Sequence, residues 1–165
     1  MSDVLIDAVL RTWRLQRDYA QRLVADLTDQ DMVSQPVRGI TMNHPAWTFG
    51  HIGVYPPVLA AILREEPFED PIKARYGRDS KPVDDAAEYP SKEDLMRAFF
   101  AGHDELERTL AGTPRAILAR PIPLARWKDR FPLIADAVLH LMIDHESTHL
   151  GQVSAWRRAG GRRPV

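Results

Sequence analysis

Cysteine is absent from this 165-residue sequence. Disulfides, thiolate metal sites and a cysteine nucleophile are therefore excluded, and any thiol chemistry would need a thiol supplied by another molecule. Excess charge of one sign is absent too, because the sequence contains 22 Lys and Arg residues and 23 Asp and Glu residues. The overall charge therefore gives no indication of a nucleic-acid-binding surface.

Long apolar runs are also missing from the sequence. No stretch approaches the roughly 18 apolar residues expected of a membrane-spanning helix. The N-terminal residues 1–16 mix acidic with apolar side chains, a pattern unlike that of a secretory signal. We therefore expect a cytoplasmic protein that binds neither nucleic acid nor membranes.

What the sequence does contain is an ordinary globular composition, with 44% hydrophobic and 27% charged residues. A chain of this length can bury a substantial core, and there is no internal repeat. We expect a single domain that covers residues 1–165.

The first of four segments with helical periodicity covers about 2–27. Ser2 and Asp3 are a plausible N-terminal cap. The apolar positions recur every three or four residues, as expected for one face of a helix: Ile6, Val9, Trp13, Ala20, Leu23 and Leu27.

The second segment covers about 43–65. Asn43 or His44 serves as its cap, and Pro45 occupies the first turn, where a missing N–H is harmless. The Pro-Pro pair at 56–57 should kink this helix or tighten it locally.

The third segment begins at a Ser91 cap, and the fourth begins at Pro132 and ends at Gly160 and Gly161. A connection of about 25 residues, 66–90, joins the second segment to the third and is longer than a helical hairpin needs. Four helical segments without a strand-like run predict an all-α four-helix bundle.

Three histidines lie on the apolar stripes of two of these helices. His145 and His149 are four residues apart, so their rings share one face of the fourth helix. His51 lies on the stripe of the second. One inward histidine is more often a hydrogen-bonded core residue, but three buried imidazoles could share one metal ion instead of needing three separate partners. Neutral imidazoles suit zinc, nickel, copper or iron.

The depth of the histidines restricts the topology. By helical rise, His51 lies roughly 12 Å from the start of the second helix and His149 about 15 Å from the end of the fourth. The two histidines lie at the same height along the bundle axis only if these helices run antiparallel. The long 66–90 connection can return the chain over a full helix length, which predicts an up-down-down-up order.

Residues 145–149 also read His-Glu-Ser-Thr-His, which matches the HExxH motif of zinc proteases. Those enzymes need a further ligand, and no His, Asp or Glu follows His149. The extended form of the motif fails as well, because Gln152 and Ala155 replace its glycine and third histidine. A metalloprotease therefore remains only a remote alternative.

Two sequence pieces together resemble the DinB-like superfamily of metal-binding four-helix bundles: NHPAWTFGHI at 43–52 and HESTHLGQV at 145–153, the latter followed by Arg157 and Arg158. The resemblance covers essentially the whole chain. It implies that the metal binds His51, His145 and His149, the residues that stripe and depth already indicate.

The resemblance implies a broad class of function. Characterised members of the family look like metal-dependent transferases or isomerases that use small thiols, and the resemblance implies a similar activity for this chain. We expect zinc or nickel as the metal, a small-molecule substrate and a low-molecular-weight thiol, with S-transfer or hydrolysis as the reaction. The alternatives are a non-catalytic metal-binding, stress-associated protein and a helical interaction module whose histidines merely pack. A homodimer is a further expectation.

Four other residues are candidates for the site. His103, on the inward stripe of the third helix, could be a fourth ligand, a proton carrier or a core histidine. Glu146 could be a catalytic base, although a structural carboxylate is the simpler interpretation. Arg157 could attract an anionic cofactor or match the helix dipole, and Trp47 could wall the pocket or fill the core.

The predicted topology also places the loops. The mouth of the site should be lined by residues 30–42, 76–92 and the end of the fourth helix. The loop 112–131 should lie at the opposite end.

Overall fold

The apolar stripe of the first segment forms helix α1 (Val4–Val24) in the computed structural model, which describes residues 4–165. The predicted cap at Ser2 and Asp3 lies outside this range. Trp13 and Leu23 on the stripe are almost fully buried. Leu27 lies beyond the end of the helix but is still buried, so the stripe continues into the following turn.

The second predicted helix is two helices, α3 (Pro45–Gly53) and α4 (Tyr55–Leu63), which are interrupted at Val54. His44 is the cap, and its Nδ1 accepts a hydrogen bond from the backbone N–H of Trp47 at 3.2 Å. The interruption has a covalent cause, because Pro56 and Pro57 have no N–H to donate to the preceding turn.

The third predicted helix is α5 (Lys92–Gly112), and the Ser91 side chain caps it by accepting from the N–H of Asp94. The fourth begins as α7 (Ile134–Leu139), two residues later than predicted. It continues without a gap through a π-helical segment (His140–His145) into α8 (Glu146–Ala159).

Two short helices were not predicted, α2 (Asp29–Met32) and α6 (Arg115–Leu118). Four residues are too few to show a helical period, so these stretches look like polar connections in the sequence. The cap of α2 is nevertheless visible, because Thr28 and Asp31 form a reciprocal capping box. Three-residue 3₁₀ turns occur at Pro71–Lys73, Ala86–Glu88 and Ala125–Trp127.

The all-helical class is confirmed, since no strand occurs among residues 4–165 and only Pro121 and Leu133 form an isolated bridge. The core consists of two apolar clusters. The first contains Leu10 of α1 and residues from α4, the end of α5 and α7. The second contains Leu23 of α1 and residues from α3, the start of α5 and α8.

The chain between α5 and α7 does not stay beyond one end of the helices, as the predicted position of loop 112–131 requires. Ile122, Leu124 and Trp127 are buried in the first core cluster. The same cluster contains residues of α4 and α7, so the burial of these side chains brings the loop into the core. The prediction that the loop lies at the end opposite the mouth is therefore wrong.

One continuous stretch, Pro45–Leu63, is long and apolar enough to pass for a membrane span, contrary to the expectation from its sequence. Its mean hydropathy is 1.3, but 78% of the apolar window is buried within the protein. Its apolar character is therefore explained by the position of α3 and α4 in the core.

Candidate metal centre

Three histidines from two helices converge in the middle of the molecule. His51 lies in the last turn of α3, His145 ends the π segment, and His149 lies in the first turn of α8. One nitrogen of each ring lies within 4.8 Å of the other two. The Nε2 atoms of His51 and His145 are 3.2 Å apart. Two nitrogens on a tetrahedral zinc ion are separated by about 3.3 Å, so this spacing fits a shared metal.

The ring of His51 is fixed by its surroundings. Its Nδ1 lies 2.7 Å from the backbone carbonyl oxygen of Tyr76, in the connection between α4 and α5. When Nδ1 carries the proton and donates it to this carbonyl, Nε2 keeps its lone pair free for a metal. The indole of Trp47 stacks on the other side, with 4.7 Å between ring centroids and 8° between planes.

His149 is held in a similar way. Its Nδ1 lies 2.9 Å from the side-chain oxygen of Gln152, one turn further along α8. The same oxygen accepts a hydrogen bond from the amide of Asn43 at 3.0 Å. A histidine ligand oriented through its second nitrogen is the usual arrangement at metal sites.

The electrostatics of the cluster favour uncharged imidazoles. Burial, followed by repulsion from His149 and His51, lowers the pKa of His145 to about 3. Burial, followed by the proximity of His51, lowers the pKa of His149 to about 4. The pKa of His51 is lowered as well, chiefly by burial. All three rings are therefore neutral at physiological pH, which is the form that binds metal.

The π segment adds a residue that the sequence pattern missed. In an α-helix, His140 and His145 would point to different sides, and the spacing of His140 and Asp144 predicts an ordinary surface pair. That pair exists, with 2.8 Å between His140 Nδ1 and the Asp144 carboxylate. The wider π turn also brings the His140 ring to 5.7 Å from His145, between centroids. No periodicity in the sequence indicates this turn.

A cavity of about 280 Å³ opens beside His51 and His145. Residue 78 of the predicted mouth region 76–92 reaches it, whereas 30–42 and the end of α8 do not. The remaining lining comes from α4, the π segment and the loop before α7: Tyr55, Arg126, Trp127, Arg130, Phe131, His140 and Leu141.

Glu146 and His103 form a separate pair beside the cluster. The Glu146 carboxyl lies 2.9 Å from Nε2 of His103, and both side chains are almost fully buried. His103 also stacks on Trp13 with 3.7 Å between centroids. Burial lowers the pKa of His103 to about 3 and raises the pKa of Glu146 well above its usual value. The contact therefore joins two uncharged groups, and His103 is not in the group of possible ligands.

The structure does not bring Arg157 to the cluster. Its guanidinium is buried and bonds to both carboxylate oxygens of Asp26, at 2.5 and 3.1 Å. It also donates to the backbone carbonyl of Leu23. Trp47 does contact the site through His51, while its indole N–H donates to Ser80.

Comparisons with known proteins identify the family of this chain. No curated protein and no solved structure gives a significant match to the chain. The family model of the DinB superfamily matches residues 12–153, a range that includes all three histidines. The resemblance seen in the sequence is confirmed, and the chain belongs to the DinB superfamily.

Proposed function

We propose that this protein is a metal-dependent enzyme that activates a small thiol or a water molecule for group transfer or hydrolysis. The convergence of three neutral histidine nitrogens within 4.8 Å of one another, beside an open cavity, carries the proposal. His51, His145 and His149 would hold one divalent ion, with zinc or nickel expected. Three protein ligands leave a coordination position free, as catalytic zinc sites do.

The metal, when bound, would lower the pKa of a coordinated thiol or water and so provide a nucleophile at neutral pH. The protein supplies the positions of the reacting groups. The Tyr76 carbonyl and the Gln152 side chain fix the two histidine rings, and Trp47 prevents His51 from tilting. The aromatic walls of the cavity exclude bulk water from one side of the substrate.

A thiol co-substrate is the finer part of the proposal. The chain has no cysteine, so the sulfur nucleophile would come from solution. The resemblance to the DinB-like superfamily supports this choice, because it implies a metal-dependent transferase or isomerase that uses a small thiol.

The proposed site belongs to a four-helix bundle of up-down-down-up order. The two core clusters support this order. One combines the start of α1 and α7 with the ends of α4 and α5, and the other combines the opposite ends. With this order, the helices that carry His51 and His149 are antiparallel.

The zinc protease alternative fits the geometry poorly. Its mechanism needs the glutamate of HExxH beside the metal. Here Glu146 is bonded to His103 and lies in the core. The third candidate ligand, His51, also precedes the motif in the chain.

The test has two stages. Protein purified without a histidine tag is first analysed for bound metal, and we expect about one equivalent. Absence of stoichiometric metal, together with no effect of His149→Ala, would overturn the proposal. Metal-loaded protein is then screened with small thiols and a panel of electrophiles. Bound metal without turnover in the whole panel would favour a non-catalytic metal-binding protein.

A further inference from the structure

The cavity beside the histidines has an unusual charge. Its lining includes three arginines, Arg78, Arg126 and Arg130, and no Asp or Glu. The arginines come from different parts of the chain, one from the connection before α5 and two from the loop before α7. The fold therefore gathers positive charge around an opening that leads to His51 and His145.

Arg126 is a fixed part of this wall. Its guanidinium forms two hydrogen bonds of 2.7 Å with Asp70, and it lies 5.0 Å above the ring of Trp127. The hydrogen bond with Asp70 raises the pKa of Arg126, and a hydrogen bond with Tyr55 adds to the effect. Asp70 neutralises much of this charge, so Arg126 mainly shapes the cavity.

Arg78 and Arg130 are available for a ligand. Neither forms a salt bridge with any residue in the range 4–165. The guanidinium of Arg130 lies 5.1 Å from the centroid of the Phe131 ring. Burial lowers the pKa of His140, and the charge of Arg130 adds to this effect. The carboxylate of the π segment, Asp144, is hydrogen-bonded to His140.

We propose that Arg78 and Arg130 bind an anionic oxygen group of the substrate, a carboxylate or a phosphate, while another part of the same molecule reaches His51 and His145. The inference rests on the proposed function and specifies its substrate class. Guanidinium groups are well suited to both anions because they donate paired hydrogen bonds. A cavity of about 280 Å³ restricts the substrate to a small metabolite.

The test compares thiols that differ in the charge at the end remote from sulfur. Dissociation constants for zinc-loaded protein are measured by titration calorimetry with 3-mercaptopropionate, 2-mercaptoethyl phosphate, 2-mercaptoethanol and cysteamine. We expect the two anionic thiols to bind about tenfold more tightly than mercaptoethanol, and cysteamine to bind most weakly. The ratio between the carboxylate and the phosphate shows which anion the site prefers.

Bound zinc itself attracts anions, so variants are needed to distinguish its effect from that of the two arginines. Replacing Arg78 and Arg130 by Gln should remove the preference for anionic thiols, which is measured as the ratio of their dissociation constants to that of mercaptoethanol for the same protein. The matched control replaces Arg38 and Arg108, two exposed arginines outside the cavity lining, and should keep the preference. An unchanged preference in the Arg78 and Arg130 variant would overturn the inference.

The two proposals can fail separately. Stoichiometric zinc combined with equal affinity for charged and neutral thiols leaves the proposed function intact and contradicts the anion site. If the protein binds no divalent metal, the proposed function fails. The same thiols are then titrated into metal-free wild type and the double variant. A preference for anions that disappears with the two arginines would still support the anion site, and its absence would reject it.

Discussion

The backbone carbonyl oxygen of Tyr76 lies 2.7 Å from Nδ1 of His51. The two residues are 25 positions apart in the sequence, with His51 before α4 and Tyr76 after it. A candidate metal ligand on a central helix is thus oriented by a main-chain atom of a proline-rich connection. The position of that connection should therefore affect metal affinity without any change in the ligands.

Gly50 offers a way to test this link. A Cβ at position 50 would lie 2.7 Å from the ring of Tyr76, which also stacks on Tyr89 and has little room to move. Gly50→Ala should displace Tyr76 with its carbonyl and lower zinc affinity about 10- to 100-fold. The measurement is a competition titration against a chromogenic chelator.

Gly53→Ala in the same helix is the matched control, because a Cβ there meets nothing within 4 Å. Its zinc affinity should equal that of wild type. Equal affinity in all three proteins would show that the Tyr76 carbonyl does not orient the ligand.

Loss of one histidine should abolish stoichiometric metal binding. His149→Ala removes one of the three neutral nitrogens, and two imidazoles hold a divalent ion far more weakly than three. We expect metal content to fall from about one equivalent to below about 0.2 after dialysis, as measured by plasma mass spectrometry. His140→Ala is the control, since this ring lies near His145 but outside the group of three. Retention of metal by the His149 variant would argue against the site.

The buried pair of His103 and Glu146 predicts a specific pH dependence. His103 has a pKa of about 3 in the folded protein and an ordinary value of 6.5. Between these values the unfolded chain binds a proton that the folded chain does not. The stabilising contribution of neutral His103 is thus complete above pH 6.5 and is lost as the pH falls towards 3.

His103→Gln removes this titration and keeps a polar group beside Glu146. Relative to the variant, metal-free wild type should lose roughly 1–2 kcal/mol of unfolding free energy between pH 7.5 and pH 5. Urea unfolding at the two pH values gives the difference. Parallel losses in both proteins would mean that His103 titrates normally in the folded state.

Arg157 should matter for stability and not for the metal. Its charge is buried, whereas the side chain of its partner Asp26 is 54% exposed. Asp26→Ala leaves a buried charge without its carboxylate, while Arg157→Met leaves a carboxylate in contact with water. Both variants should be less stable by about 1–3 kcal/mol in urea unfolding, and Asp26→Ala should be the less stable of the two.

The neighbouring Arg158 provides the control for this comparison. It is exposed, and its side chain donates to Ser154 of its own helix, so Arg158→Met should change stability by less than about 0.5 kcal/mol. All three variants should bind as much metal as wild type. Loss of metal on Arg157→Met alone would restore the interpretation of this residue as part of the cofactor site.

The parts of the site that follow a helical period could be predicted from the sequence. His51, His145 and His149 continue apolar stripes, and their depth along the helices indicates that they meet. The helix caps at His44 and Ser91 were visible for a similar reason, because capping depends on a few residue types at fixed spacing.

The other parts of the site depend on features without a sequence period. The Tyr76 carbonyl belongs to the main chain, and every residue type has one, so the sequence does not indicate its role. Arg78, Arg126 and Arg130 lie in connections whose path is set by where buried side chains such as Trp127 find space. The sequence spacing of His140 and His145 places the two rings on different sides of an α-helix, whereas the π turn brings them close together.

That π turn, His140–His145, changes the direction in which the side chains of α8 point relative to those of α7. It accommodates about one residue more than an α-helix of the same length, so α7 and α8 are offset by roughly 100° from a continuous α-helical register. Shortening the segment by one residue would restore a continuous α-helical register. It would also rotate either Ile134 and Val138 out of the core or His149 away from His51. The irregular turn is what allows one continuous helix to serve the core at its start and the site at its end.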